Sequence, residues 1–248
     1  MLFLYTGLFL LAFALAYWFT GQVRNYALKQ NVLDIPNERS SHTMPTPRGG
    51  GVSVVVVFLC AICVLAIIDS ISITSFIAFG GAGVLVAAVG FLDDHGHIAA
   101  RWRLLAHFSS ALLIVILFGG LPDLVIFGFE IGFAEFGYVL AVLYLVWLLN
   151  LYNFMDGIDG LASIQAITVC VGAAICSLVL HEWRFSESSA LPIVLASAVA
   201  GFLVWNFPPA KIFMGDACSG FLGGHFSLHS VECASRPGYG DPELCIAT

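Results

Sequence analysis

The sequence predicts an all-α fold, a polytopic bundle of about seven membrane-spanning helices with a partial eighth. Three observations carry this. Of 248 residues, 60% are hydrophobic and 10% charged, and mean hydropathy is +0.96; a soluble domain cannot bury that much apolar surface. Apolar runs of roughly twenty residues, the length that crosses a hydrocarbon layer, recur along the chain. Basic residues fall on alternate loops, as membrane insertion requires.

The first run covers about Met1 to Thr20. It lacks the basic start and small-residue cleavage site of a signal peptide, so it is expected to stay as a helix. Residues 21–50 form the longest polar segment, ending in Pro45, Pro47 and the run Gly49-Gly50-Gly51. Apolar runs at 52–69 and 73–92 follow, split by Asp69-Ser70, and the second ends at Asp93-Asp94-His95-Gly96-His97. The next spans are expected at 104–121, 136–152, 161–180 and 190–207, where Pro208-Pro209 stops the last. The seven cysteines show no paired spacing, and Cys60, Cys63, Cys170 and Cys176 lie inside apolar runs, which argues against a disulfide framework or a zinc site.

Loops after the odd-numbered helices carry Arg24, Lys29, Arg39, Arg48, Arg101, Arg103 and Lys211; those after the even-numbered ones carry only Arg184. This bias puts the odd loops in the cytoplasm and the N-terminus outside. The same loops hold Asp34, Glu38, Asp93, Asp94, Asp156, Asp159 and Asp216.

The chain is organised around Asn150 to Gly160. Asn153, Asp156 and Asp159 recur every third residue and would share one face of a helix. A plain polar turn needs no acids, so function is the better reading. Carboxylates brought together repel, by roughly 4 kcal/mol at ~4 Å and an effective dielectric near 20. A divalent cation removes that penalty, and hard oxygen donors select Mg2+, or alternatively Mn2+. The glycine run after Arg48 reads either as an anion-binding concavity of N–H groups or as a flexible helix entry. Acids, glycines and basic residues on one face together indicate phosphoryl chemistry on a nucleotide. His95 and His97 beside the acids, and His107 within an apolar run, are weaker signals. The acids sit at helix ends, whereas a secondary transporter would hold them near the midplane. The alternating acids of a calcium loop are absent.

Five segments in order resemble the polyprenyl-phosphate N-acetylhexosamine-1-phosphate transferases (glycosyltransferase family 4), which include undecaprenyl-phosphate GlcNAc-1-phosphate and phospho-MurNAc-pentapeptide transferases. They are Asp34 to His42, Thr46 to Gly51, Gly90 to Asp94, Asn153 to Gly160 and Lys211 to Asp216. The resemblance covers about residues 1–224. It implies transfer of a sugar 1-phosphate from a UDP-sugar to a polyprenyl phosphate at a bacterial inner membrane, with UMP released and Mg2+ required. It implies Asp216, with Asp156, as metal ligands. Asp93 or Asp94 would act on the lipid phosphate, and Asn153, Asp156 and Asp159 on the nucleotide side. Arg48, Gly49, Gly50, Lys211 and Phe213 would meet the substrates. The partners implied are the two substrates and the bilayer, with no nucleic acid and a homodimer left open. The other membrane phosphotransferase class, the CDP-alcohol family, needs an Ala-Arg after Asp-Gly that Asp156-Gly157-Ile158-Asp159-Gly160 does not offer.

Two departures stand out. Cys218 occupies a position where the family usually has glycine, and a side chain beside bound phosphate would weaken binding. After Gly224 the family continues in further apolar helices, whereas residues 225–248 here are polar and read as an aberrant tail too poor in apolar length to span. The sequence therefore predicts a transferase domain over 1–224 and a truncated end, with inactivity as the alternative outcome.

Overall fold

The computed structural model describes residues 2–36, 44–96, 98–121, 124–126, 129–132 and 136–235. Helix α1 is Leu2–Gln30, α2 Val52–Ile67, α3 Ile73–Ile77, α4 Gly83–His95, α5 Ala100–Phe118, α6 Phe136–Met155, α7 Leu161–Leu180, α8 Glu187–Asn206 and α9 Asp216–Ser235. A π-helical stretch, Ala78–Ala82, joins α3 to α4 into one span. Strand β1, Leu33–Asp34, pairs antiparallel with β2, Thr46–Pro47; β3, Leu124–Ile126, pairs antiparallel with β4, Phe129–Ile131. Among the described residues, six helical segments are long and apolar enough to cross a membrane, and α2 is a shorter apolar helix. The chain is an all-α multi-pass membrane bundle.

Helices dominate because each satisfies its own backbone groups, the condition for lying in lipid. Helix α8 is the axis: 67% of its apolar window is buried, against 22% to 44% in the other five spans. Small residues line it, among them Ser188, Ser189, Ala190, Ala198 and Gly201, so α1, α2 and α7 can pack closely around it. Helix α9 is the second buried element, set against α4 and α6. The exposed apolar side chains, such as Leu10, Leu112, Tyr138 and Ile175, lie on the outer helices and face lipid.

Several bounds differ from the sequence reading. Helix α1 runs ten residues past Thr20 to Gln30. Its polar end is held inward, because Arg24 Nε donates to the Lys211 carbonyl (3.2 Å) and Trp205 Nε1 donates to the Tyr17 carbonyl (3.0 Å). Helix α9 passes through residue 224, and His225 is buried against the rings of Phe58, Phe79 and Phe221. At one end of the bundle, Ser186 and Ser189 cap α8 reciprocally, and the Ser72 N–H donates to Glu187 (3.2 Å). The opposite end carries the acids.

Gly90 sets the spacing between α4 and α9. A Cβ there would lie 2.4 Å from the Asp216 carbonyl oxygen and 2.5 Å from the Ala217 nitrogen, both backbone atoms that cannot yield. Gly90→Ala is expected to lower the melting temperature in detergent by an amount matching roughly 1–3 kcal/mol or more of overpacking. Gly172→Ala, whose added methyl meets nothing within 4 Å, should leave it unchanged or raise it slightly.

Candidate active site

Four connections meet at the acidic end: the β2–α2 turn with Arg48, the end of α4 with Asp93 and Asp94, the α6–α7 loop with Asp156, and the segment Lys211–Asp216 leading into α9. The first turn of α5 adds Arg103.

Asp94 is the tie between them. Its side chain is only 1% exposed and accepts the Asp216 N–H (3.1 Å) and the Ala217 N–H (3.4 Å). Those are the free amides at the start of α9, so Asp94 caps a helix more than a hundred residues away in the chain. The Arg48 guanidinium pairs with the same carboxylate at 3.0 Å and donates to the Asp93 carbonyl at 3.4 Å. Asp93 turns the other way. It accepts the Ile98 N–H (2.7 Å) and Arg103 Nη1 (2.7 Å), and that same Arg103 nitrogen lies 3.4 Å from Asp216 Oδ2. Adjacent acids in the sequence thus have separate duties.

The α6–α7 acids are not on a helix face. Helix α6 ends at Met155, and Asp156 to Gly160 form turns that close with Gly160 at φ +71. Glycines at 157 and 160 make continuation of the helix unfavourable, and the second supplies the left-handed residue that α7 starts from. All three polar residues still reach the segment before and into α9, each at a different point. Asn153 Oδ1 accepts Ser219 Oγ (3.3 Å), Asp156 accepts the Gly215 N–H (2.9 Å), and Asp159 accepts the Ala210 N–H (2.9 Å).

Two amides of the glycine run are already taken. The Gly50 N–H donates to the Phe213 carbonyl and the Gly51 N–H to the Met214 carbonyl, both at 2.9 Å, while the Phe213 N–H donates to the Pro47 carbonyl at 2.8 Å. These amides bind two loops together. A Cβ on Gly51 would sit 2.2 Å from Cys218 Cβ, so the missing side chain is what admits Cys218. Cys218 is fully buried in that hollow. Gly49 lies against Gly215 and Asp94. Lys211 is exposed and stacks its ammonium 5.7 Å from the Trp205 ring centroid, apart from the carboxylate contacts above. His95 bonds the Phe91 carbonyl (2.9 Å). His97 and Glu38 lie outside the described residues, and His107 is buried on α5, near Gly220.

Two residues escaped the sequence reading. Arg103 looked no different from Arg101, but Arg101 lies over the Trp102 ring (5.8 Å) while Arg103 bridges two acids. Asn206, 3% exposed, accepts the Gly160 N–H and Ser163 Oγ and donates to the Ile212 carbonyl, joining α7 to the loop before α9. A polar residue ending a long apolar run was the available signal.

Four acids face two arginines here, and the charge imbalance is felt. Burial raises the Asp216 carboxyl to about 7, helped by its hydrogen bond with Asp93 and by the Asp94 charge. Burial also holds the Asp156 carboxyl well above the usual range, with Asp216 and Asp94 adding to it. Among the described residues, no three His, Cys, Asp or Glu side chains form a ready metal cage. The carboxylates are occupied instead by N–H groups and by the arginines.

The family model described as Glycosyl transferase family 4 matches residues 75–234. A probable undecaprenyl-phosphate N-acetylglucosaminyl 1-phosphate transferase of Bacillus subtilis (strain 168) is 31% identical over 214 residues, covering 84% of this chain and 57% of that protein. A decaprenyl-phosphate N-acetylglucosaminephosphotransferase of Mycolicibacterium smegmatis is 31% identical over 256 residues, covering 93% of this chain and 61% of that one. A phospho-N-acetylmuramoyl-pentapeptide-transferase of Bacillus licheniformis is 29% identical over 227 residues, covering 87% and 70%. The chain therefore spans 57% and 61% of the length of the first two of these relatives.

A carboxyl raised in the folded state binds its proton more tightly there than in the unfolded chain. Its contribution is therefore unfavourable once pH exceeds the unfolded value of 3.8, and the penalty grows until pH passes about 7. Melting in detergent without divalent cations should show wild type losing stability relative to Asp216→Asn as pH rises from 4.5 to 7.5. The asparagine cannot ionise, so a difference between the two proteins that does not vary with pH would show that the Asp216 carboxyl carries no such penalty.

Proposed function

The chain belongs to glycosyl transferase family 4, and from that premise we propose that it transfers a sugar 1-phosphate from a UDP-sugar to a polyprenyl phosphate, the sugar most simply an N-acetylhexosamine. The observation that carries the reading is the meeting of Asp93, Asp94, Asp156 and Asp216 with Arg48 and Arg103 at one end of a membrane bundle. In the reaction, an oxygen of the lipid phosphate attacks the sugar-linked phosphorus. The bond from that phosphorus to the bridging oxygen breaks, and UMP leaves with the bridging oxygen and its charge.

The donor set suits a hard divalent cation. Its members are carboxylate oxygens with a surplus of negative charge, and such cations commonly take one or two carboxylates and complete their shell with substrate phosphates. Asp216 and Asp156 would hold Mg2+, or Mn2+ in its place, and the bound ion supplies charge neutralisation at the diphosphate. Asp93, reachable from the end of α4, would receive or orient the lipid phosphate. Asp94 contributes by fixing the start of α9, and hence Asp216. Arg48 and Arg103 offer guanidinium N–H groups to phosphate oxygens. Asn153 and Asp159 hold the loop on which Asp156 stands. Gly49, Gly50 and Phe213 shape the floor through backbone pairing. Lys211, at the exposed margin beside Trp205, is placed for a lipid phosphate entering from the bilayer. The excess of basic residues on these loops supports a cytoplasmic site and an outside N-terminus.

The test is UMP release by the purified 248-residue chain, given UDP-GlcNAc, undecaprenyl phosphate and Mg2+. Asp93→Asn, Asp156→Asn and Asp216→Asn are each expected to lower the rate on the order of 100-fold or more in protein that still folds. Asp94→Asn should lower both rate and melting temperature, because it also caps α9. Wild-type rates in Asp216→Asn would overturn the reading.

A further inference from the structure

We infer that Arg103 is a displaceable counter-ion: its guanidinium stands between Asp93 and Asp216 where a divalent cation would draw on the same oxygens, so it sets how tightly that cation binds. The inference builds on the proposed function and assigns a positioning role within it.

The geometry distinguishes the two arginines of the site. Arg48 sits in a turn whose neighbours are pinned by backbone bonds to residues 213 and 214, and its guanidinium bonds both the Asp94 carboxylate and the Asp93 carbonyl. It is part of the scaffold. Arg103 stands on the first turn of α5, on a long side chain 36% exposed. A single nitrogen makes both of its carboxylate contacts, 2.7 Å to Asp93 and 3.4 Å to Asp216. The longer contact is easily given up, and solvent offers the side chain a way out.

A guanidinium and a metal ion cannot share those oxygens, since like charges at that separation repel. While Arg103 bridges, its single charge offsets part of the charge of Asp93 and Asp216. Once a cation arrives, Arg103 must swing aside. The bridge therefore keeps the acid pair assembled without metal and weakens binding of a bare ion. A cation arriving with a diphosphate brings its own negative charge for the released guanidinium, which favours the complex over the ion alone.

The test is direct Mn2+ binding to the full chain in detergent, read from the loss of the free aquo-Mn2+ paramagnetic signal, with no substrate present. Arg103→Ala and Arg103→Gln are expected to bind Mn2+ roughly two- to fivefold more tightly than wild type, the upper range of one partly exposed ion pair, while melting at a lower temperature in the absence of metal. The glutamine variant keeps a hydrogen-bonding side chain should the alanine variant fail to fold. Arg101→Ala, which removes equal charge from the same turn, should leave affinity unchanged. Equal or weaker Mn2+ binding in folded Arg103 variants, with wild type binding normally, overturns this inference alone. Failure of wild type and variants alike to bind Mn2+ overturns the cation reading of the site as well.

Discussion

The arrangement at the acidic end depends on one carboxylate. Asp94 accepts the first amides of α9 and pairs with Arg48, and through these contacts α4, α9 and the β2–α2 turn become one unit. A charge almost wholly removed from water is costly unless its partners are both ionic and hydrogen-bonded. Here a guanidinium and two amides supply them. Loss of the carboxylate would leave Arg48 without its ionic partner and the end of α9 uncapped, so Asp94 is constrained by structure before any chemistry is considered. The neighbouring Asp93 faces Arg103 and the Ile98 amide instead.

Packing brings charges together that would otherwise separate. Helix α9 can start where it does because Gly90 lets the α4 backbone lie against Asp216 and Ala217. Gly51 makes room for Cys218, the next residue. The loops also pair with one another through backbone amides, so the acids are held by that pairing as well as by the amides they accept themselves. Asn206 and Asp159 extend these contacts to the start of α7 and the Ala210 loop. The cost of gathering Asp156 and Asp216 is met by burial and packing elsewhere, and it surfaces as carboxyls that hold their protons.

The spans were legible because hydrocarbon length and backbone satisfaction leave little freedom: the run at 161–180 is α7, and 52–69 overlaps α2 within two residues at its end. What was not legible is non-local. Nothing in Thr46 to Gly51 says that the Gly50 and Gly51 amides will meet Phe213 and Met214 and join two loops. The threefold spacing of Asn153, Asp156 and Asp159 suggested a helix, but Gly157 and Gly160 end it, and the three residues diverge to different partners. The short pairing of β1 with β2 and the π-helical stretch in the third span leave no mark in hydropathy. Cys218 was visible as unusual, yet only the hollow beside Gly51 shows how it is accommodated.

The capping by Asp94 also limits how a phosphate could be held. A helix N-terminus is a natural anion site, through its free amides and positive dipole end. At α9 that resource is taken: the amides of Asp216 and Ala217 already bond a carboxylate from within the chain. The glycine amides at 50 and 51 are taken as well. With those amides taken, the guanidinium groups of Arg48 and Arg103 are the positive charge that the acidic end presents to an anion. The contacts that make the fold rigid at this end thus shift anion binding from backbone towards side chains.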